Sequence, residues 1–241
     1  MLKNQQEHSN TPGNISQEVS LPEIISRWQH KQILLSGTEI QLTIPADPDE
    51  LLQHVDQSEE GKQEEFDPYW GHLWPAARKM SELVSLFNWN AGTRVLELGC
   101  GSGLIGIAAL AVGMQVTFSD NQPDALQLAA YNATQNGFQN YRLSLYDWFD
   151  PSAIEPFPIV IASDVLYETR FHQPLLDVLQ KVLTNQGEAW IADPGRSLLA
   201  DFLRTAQKDR FQIEIYDENL KQKSFPGIGH FQVVRLQRKI D

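Results

Sequence analysis

The chain has a single cysteine, Cys100, and this scarcity excludes two classes of protein. One thiol cannot form an intrachain disulfide framework, and it cannot build a cysteine-rich metal site. We therefore expect no metal centre. A protein without disulfides fits a reducing compartment, so the cytoplasm is the expected location.

The sequence also lacks any run of the roughly 18–20 consecutive apolar residues that a bilayer span requires, so we expect no membrane span and no membrane partner. Its first twenty residues are polar. They contain neither the apolar core of a signal peptide nor the Arg-rich amphipathic pattern of a transit peptide. Residues 1–20 are therefore interpreted as a disordered tail.

Positive charge is scarce as well, because 19 Lys and Arg residues stand against 31 Asp and Glu residues and give a net charge of -12. A phosphate backbone would be repelled by such a surface, so we expect no nucleic-acid partner. A cationic or lysine-bearing partner suits it better. The length of 241 residues fits one sizeable domain with an appended segment.

The order of the predicted elements indicates an α/β fold of the Rossmann-like kind. Residues 21–75 are interpreted as an N-terminal extension with a hairpin around Ser36-Gly37-Thr38, an acidic segment at 47–67 and an aromatic run at 67–75. Residues 76–241 are interpreted as the main domain. Strands and helices alternate there, which predicts a seven-stranded, mostly parallel sheet with an antiparallel last strand and helices on both faces. The predicted strands are 94–98, 115–119, 141–146, 159–163, 188–192, 211–216 and 231–236, and the predicted helices are 76–87, 104–112, 123–135, 171–183 and 196–208.

A glycine turn between the first of these strands and the next helix marks the main candidate site. Gly99, Gly101 and Gly103 alternate there, and glycine lets the chain turn sharply and lets a ligand approach the backbone. Residues 101–106 also spell the GxGxxG dinucleotide pattern, and Asp120 follows about 20 residues later. The glycines alone therefore leave NAD and S-adenosylmethionine both open.

Three further features favour S-adenosyl-L-methionine and hence a methyltransferase. Glu97 precedes the turn, where a carboxylate is awkward beside a pyrophosphate but can hold a cationic methionine moiety. Asp147 offers an acceptor for an adenine amino group, and Trp148 offers a flat apolar wall for the ring. Ser163 and Asp164 place polar groups at the carboxyl end of the fourth strand, at the topological switch point where such sheets bind ligands.

On these residues the sequence resembles the class I, seven-β-strand methyltransferases. More narrowly, it resembles the branch of protein lysine methyltransferases that act on the electron transfer flavoprotein beta subunit, together with bacterial relatives labelled predicted nicotinamide N-methylases. The likeness covers about residues 25–236. Its further carriers are Tyr69-Trp70, Leu73-Trp74-Pro75, Asn132 with Asn136, Asp164-Val165-Leu166-Tyr167 and Asp193-Pro194-Gly195-Arg196.

The resemblance implies a role for each matching residue. The residues implied to line the cofactor are Trp74, Gly99, Gly101, Asp120, Trp148 and Ser163. Asp164 and Tyr167 match an Asp-x-x-Tyr signature that faces the methyl acceptor, so they are the expected catalytic pair. The expected partner is then a protein bearing a target lysine, with a flavoprotein subunit and a ribosomal protein as candidates.

Other interpretations stay open at this stage. A small-molecule N-methyltransferase is the main alternative, since a protein substrate needs an open groove and a small molecule a closed lid. A cofactor-binding module without catalysis is a second alternative. Trp70 is interpreted as a hydrophobic plug, and His72 as a structural residue in preference to a catalytic base. Asn132 and Asn136 are interpreted as capping or bracing the predicted helix 123–135 in preference to contacting the ligand. The turn Asp193–Arg196 has no assigned role.

Overall fold

The computed structural model describes residues 19–55, 67–151 and 153–239. Residues 1–18 of the expected tail at 1–20 and residues 56–66 of the expected acidic segment at 47–67 therefore lie outside the described residues. Within the described ranges, no helix is long and apolar enough to cross a membrane.

The N-terminal extension forms a hairpin of two antiparallel strands, β1 (Trp28–Leu35) and β2 (Thr38–Pro45). Ser36 and Gly37 make the turn, and both have positive φ, at 47° and 89°. Such two-residue turns match the twist of the flanking strands. The predicted hairpin is confirmed. A short helix, α1 (Leu52–Val55), follows it.

The main sheet carries the fold that the strand and helix order predicts. Its strands run in the order β5-β4-β3-β6-β7-β10-β8-β9 within the described chain. The first five are mutually parallel, and β10 is antiparallel to both β7 and β8. The strands are β3 (Arg94–Leu98), β4 (Gln115–Asp120), β5 (Arg142–Leu145), β6 (Phe157–Ser163), β7 (Leu183–Asp193), β8 (Phe211–Asp217), β9 (Gln222–Lys223) and β10 (Gln232–Arg238).

The one addition to the expected seven strands is β9, which comprises two residues. It lies in the connection from β8 to β10, between the predicted strands 211–216 and 231–236, and it pairs antiparallel with the end of β8. A strand of two residues has no alternating pattern of apolar and polar residues, so it could not be predicted from the sequence.

Helices cover both faces of the sheet. They are α2 (Pro75–Leu86), α3 (Leu104–Ala111), α4 (Pro123–Gln135), α5 (His172–Val182) and α6 (Leu199–Lys208). Successive residues of β3 face opposite cores: Val95 packs in the cluster that contains α2, α3 and the hairpin, and Leu96 packs with α5 and α6. A parallel sheet buried on both sides requires this arrangement.

Helix α6 begins at Leu199, three residues later than predicted. The sequence from Arg196 onward suits a helix, but Gly195 before it has φ of +96° and the side chain of Asp193 accepts hydrogen bonds from the N–H groups of Gly195 and Arg196. Arg196 therefore belongs to a turn, and its side chain is directed by that turn.

Two asparagines of α4 hold the hairpin against the main domain. The side-chain amide of Asn132 bonds the N–H and C=O of Thr43 at 2.8 and 2.9 Å, and that of Asn136 bonds the N–H and C=O of Gln41 at 2.8 and 2.7 Å. These amides complete the outer edge of β2 as a further strand would. The two residues thus brace the hairpin on α4.

Candidate active site

A cleft of about 900 Å³, part of it open to solvent, lies where the first strands of the parallel sheet end. Ten of the eleven residues predicted for the site line it, although they come from five separate parts of the chain. They are Trp74, Glu97, Gly99, Gly101, Asp120, Asp147, Trp148, Ser163, Asp164 and Tyr167.

The eleventh predicted residue, Gly103, is not among the residues that line the cleft, and it shapes the glycine turn instead. It has φ of +77° and precedes the first residue of α3. A Cβ atom on it would lie 2.8 Å from the Cβ of Ala129 on α4 and 3.2 Å from the ring of Phe118. Glycine is required here both for the left-handed backbone and for the close approach of α4.

Glu97 is buried at the end of β3, with 3% of its surface exposed. Its Oε2 accepts a hydrogen bond of 2.9 Å from the N–H of Gly106 in α3. Burial raises the pKa of the carboxyl to about 8, and the nearby Asp120 adds to the rise. Glu97 thus lines the cleft as a carboxyl group with a raised pKa. A cation bound beside it would favour its ionised form.

Asp120 connects the glycine turn to the end of β4. Its Oδ2 accepts from the N–H of Gly101 at 3.0 Å and its Oδ1 from the N–H of Gln122 at 3.0 Å. Burial raises its pKa to about 6, while these two backbone donors lower it. The carboxylate keeps acceptor capacity for hydroxyl groups of a ligand, since each oxygen can take a second hydrogen bond.

Beyond Gly99, the cleft is lined by the aromatic ring of Trp148. The ring of Trp148 lies 3.7 Å from the position that a Cβ on Gly99 would occupy, and it packs edge-on against Phe171 at 6.0 Å between centroids. Asp147, exposed beside it, accepts from the N–H of Phe149 at 2.9 Å. Three polar atoms of cleft-lining residues are buried without a hydrogen-bond partner, and they are Trp70 Nε1, Tyr146 Oη and Asp164 Oδ1.

These features fit S-adenosylmethionine. Its methionine end needs a carboxylate near a backbone turn, its ribose needs an acceptor, and its adenine needs a flat apolar wall. Glu97, Asp120 and Trp148 present these groups in one cleft, in the order in which the sheet places β3, β4 and the segment after β5.

The opposite end of the cleft is built around Asp164. This residue directly follows β6, has φ of +61° and is 4% exposed. Its Oδ2 accepts from the N–H of Ala76 in the first turn of α2 at 3.0 Å. Its Oδ1 lies 2.9 Å from Nη2 of Arg196, in an ion pair rather than an aligned hydrogen bond. Burial raises the pKa of Asp164, and Arg196 opposes that rise.

Tyr167 forms a hydrogen bond with Asp67, a residue that was not predicted as part of the site. Its hydroxyl donates to Oδ2 of Asp67, whose Oδ1 accepts from the N–H of Tyr69 at 2.9 Å. Burial and the charge of Asp67 both raise the pKa of Tyr167, so the phenol stays protonated. A signal existed: an Asp followed by Pro68 marks a helical N-cap, and Asp67 caps the turn Pro68–Gly71.

Aromatic rings line this end of the cleft. Trp74 Nε1 donates to the carbonyl of Tyr69 at 3.0 Å, and the ring of Tyr69 packs edge-on against Trp74 and Tyr167. His72 also lines the cleft, and its Nε2 lies 3.4 Å from Asp49. Trp70 is buried with Ile25, Leu51, Ala125 and Leu128, as expected of a hydrophobic plug, and it lines the cleft as well.

Curated proteins similar to this chain include lysine methyltransferases. It is 37% identical to the protein-lysine N-methyltransferase rrg1 of Schizosaccharomyces pombe over 38% of this chain and 35% of that protein. It is 29% identical to the electron transfer flavoprotein beta subunit lysine methyltransferase of Danio rerio over 73% of this chain and 68% of that protein. With its Xenopus laevis counterpart the match spans 54% of each chain. The chain thus spans from 35% to 68% of the length of these relatives.

Solved structures support the fold. The N-methyltransferase NodS from Bradyrhizobium japonicum, in complex with S-adenosyl-L-homocysteine, superposes with a TM-score of 0.56 at 15% identity over 79% of this chain and 99% of that one. A TehB-like SAM-dependent methyltransferase from Corynebacterium glutamicum gives 0.55 at 20% identity over 80% and 100%. The family model described as a methyltransferase domain matches residues 90–232, which is more than half of the chain. The chain therefore belongs to the S-adenosylmethionine-dependent methyltransferase family.

Proposed function

We propose that the protein is a protein lysine N-methyltransferase. The observation that carries this proposal is the buried carboxylate of Asp164 at one end of the cleft, beside an aromatic wall formed by Tyr69, Trp74 and Tyr167. A carboxylate and aromatic faces together suit an aliphatic ammonium group. The names of the three curated relatives, all of them lysine methyltransferases, support the same choice.

The cofactor half of the cleft would hold S-adenosylmethionine through residues of the glycine turn and its neighbours. Glu97 would take the methionine end, Asp120 the ribose hydroxyls, and Asp147 with Trp148 the adenine. When bound, the cofactor supplies a methyl group on a sulfonium, which a nucleophile can accept by in-line displacement. The residues of the chain then act by positioning the nucleophile and excluding water.

An acceptor lysine must lose a proton before it can attack. Against a pKa of about 10.4, neutralising it at pH 7 costs about 4–5 kcal/mol. Burial at the inner end of the cleft lowers this cost, whereas the charge of Asp164 favours the ammonium form. Asp164 therefore binds and orients the incoming lysine, and the proton leaves to water or to Asp164 as the site closes.

Tyr167 has a defined hydrogen-bonding role in this scheme. Because its O–H proton is donated to Asp67, the phenolic oxygen presents lone pairs. Such an oxygen can accept a hydrogen bond from an N–H of the amine. Tyr167 would thus orient the amine together with Asp164.

The position of the hairpin favours a protein substrate over a small molecule. β1 and β2 pack on α3 and α4, and no described residue of either strand lines the cleft. The hairpin therefore forms no lid. Exposed Tyr69, Asp147 and Phe149 stand at the rim instead, so an extended segment could reach the site. We place the reaction in the cytoplasm, and a flavoprotein subunit and a ribosomal protein remain candidate substrates.

The test is methyl transfer from isotopically labelled S-adenosylmethionine into the proteins of a matched cell extract. Asp164→Asn should lower the rate by about 100-fold, since it removes the group that orients the acceptor. Its affinity for the cofactor, measured by calorimetry, should stay within about threefold of wild type. Exposed Asp150→Asn is the matched control and should keep full activity.

Three outcomes would contradict the proposal. Label that appears only in small metabolites would favour a small-molecule methyltransferase. An Asp164→Asn variant with full activity and intact cofactor binding would remove the role given to Asp164. Titration with NAD in the same calorimeter tests the dinucleotide alternative, and binding of NAD without S-adenosylmethionine would exclude the proposed cofactor.

A further inference from the structure

The turn between β7 and α6 is built to direct one side chain into the cleft. Asp193, which is fully buried, accepts 2.7 Å hydrogen bonds at Oδ1 from the N–H groups of Gly195 and Arg196. A Cβ on Gly195 would lie 2.4 Å from the backbone N of His230, so only glycine fits there. Gly195 also accepts from the N–H of Gly229 at 2.8 Å. The contacts of Asp193 before Arg196 and of Gly195 with the segment 229–230 hold the backbone of this turn, and the turn sets the direction of the Arg196 side chain.

The guanidinium of Arg196 lies between two carboxylates. Nη2 is 2.9 Å from Oδ1 of Asp164, and Nη1 is 3.2 Å from Oδ2 of Asp193. Its Cζ lies 5.9 Å from the centroid of the Trp74 ring. One cation thus serves two buried anions beside the aromatic wall of Tyr69, Trp74 and Tyr167, at the end of the cleft around Asp164 where we propose that the acceptor binds (the acceptor end).

This cluster carries one negative charge more than positive. The charged groups that act on Asp164 are Arg196 and Asp193, and α2 adds the N–H of Ala76. Backbone donors compensate part of the excess, but buried ions favour full pairing. A protonated amine that enters this end of the cleft would balance the cluster, whereas a hydroxyl or a thiol would not.

We propose that Arg196 is a positioning residue that holds Asp164 as an oriented carboxylate, and that Asp193 supplies the excess charge by which this site selects a protonated amine. The proposal deepens the proposed function, on which it rests for the identity of the amine as lysine. The interaction between Asp193, Arg196 and Asp164 can be tested without any acceptor.

Opposite substitutions in the cluster should move the titration of Asp164 in opposite directions. Arg196→Met removes the cation and should raise the pKa of Asp164 by about one unit or more. Asp193→Asn removes the second anion, keeps an oxygen for the turn, and should lower it. Arg196→Lys keeps the charge and should remain near wild type. The ¹³Cγ signal of Asp164, assigned by its loss in Asp164→Asn, reports this titration in the cofactor-free protein.

The selection of an amine is tested with n-butylammonium as the probe and 1-butanol as its neutral counterpart, each titrated into the protein with bound S-adenosylmethionine. Wild type should bind the ammonium and not the alcohol, and Asp193→Asn should weaken ammonium binding by about tenfold. With a protein acceptor, Asp193→Asn should raise KM and leave kcat within about twofold.

The proposal is overturned if Arg196→Met and Asp193→Asn shift the titration of Asp164 in the same direction or leave it unmoved. It is overturned too if alcohol binds as tightly as ammonium. Should Arg196→Met fail to fold, Asp193→Asn and Arg196→Lys still decide the matter. Failure of the proposed function is separate, because it would show as the absence of protein methylation while the titrations keep their expected order.

Discussion

The two ends of the cleft are built in different ways. At the end that we propose holds the cofactor, the cofactor end, contacts join residues close in sequence: Glu97 bonds Gly106 nine positions away, and Asp120 bonds Gly101 nineteen positions away. At the end that we propose holds the methyl acceptor, the acceptor end, Asp164 bonds Ala76 across 88 positions and Tyr167 bonds Asp67 across 100. One end is a local motif, and the other is an assembly of distant segments.

This difference predicts how each end tolerates change. The cofactor end is specified by backbone conformation and close packing, so a single added methyl group should disturb the whole domain. The acceptor end is specified by paired side chains, so a substitution there should alter the acceptor reaction and leave the fold largely intact. The following variants test that contrast.

Gly103→Ala should have the largest effect on stability. The new methyl group would meet Ala129 at 2.8 Å while the backbone holds φ at +77°. Backbone strain and overpacking add, and we expect a loss of about 3 kcal/mol in the free energy of unfolding. Urea denaturation measures it.

Gly137→Ala is the matched control for this change. Gly137 also has positive φ, at +82°, but a Cβ there meets no atom within 4 Å. It should lose only about 1 kcal/mol, the cost of a left-handed non-glycine residue. Equal losses in the two variants would show that packing around the glycine turn contributes nothing beyond its backbone conformation.

How much the sequence predicted follows the same contrast. The sequence could identify the turn 97–103, Asp120 and Trp148. A strand, three glycines and a helix follow one another directly at this turn, and strands alternate with helices along the chain from β3 and α3 onward. The pairing of Tyr167 with Asp67 and that of Asp164 with Arg196 could not be identified, because these partners lie far apart in sequence and only the fold brings them together. Likewise β9 depends on pairing with β8 and has no local signal.

Glu97→Gln should have the next effect, and it depends on pH. Burial raises the pKa of Glu97 to about 8 from an ordinary 4.5, so the folded state binds the proton more tightly than the unfolded state. The stability that this proton provides is complete below pH 4.5 and is lost as pH rises to about 8. Wild type should therefore become less stable between pH 6.5 and 8, by about 2 kcal/mol at 1.36 kcal/mol per unit.

The variant should lack this dependence, since an amide cannot ionise but can still accept from Gly106. Burial raises the pKa of Asp120 only to about 6, so most of its titration lies below this range, and the difference between wild type and variant reports Glu97. Exposed Glu39→Gln serves as the control and should follow wild type. If Glu97→Gln lost stability with pH as steeply as wild type, Glu97 would not be the group responsible.

Tyr167→Phe should have the smallest effect on stability and should separate the two ends of the cleft most clearly. It removes the hydroxyl that donates to Asp67, at a cost of about 1 kcal/mol, because Asp67 can turn to water. Methyl transfer to a protein acceptor should fall by about tenfold, since the amine loses an oriented acceptor oxygen. Cofactor affinity, measured by calorimetry, should stay unchanged.

Tyr141→Phe provides the comparison that this last prediction needs. Its hydroxyl bonds Thr134 and the carbonyl of Ala130 on α4, away from the acceptor end. It should cost similar stability and leave methyl transfer at the wild-type rate. If Tyr141→Phe lowered the rate as much as Tyr167→Phe, the loss would follow stability rather than the hydroxyl of Tyr167. A rate lost only with Tyr167→Phe, at equal stability and cofactor affinity, would show that this end of the cleft acts on the acceptor alone.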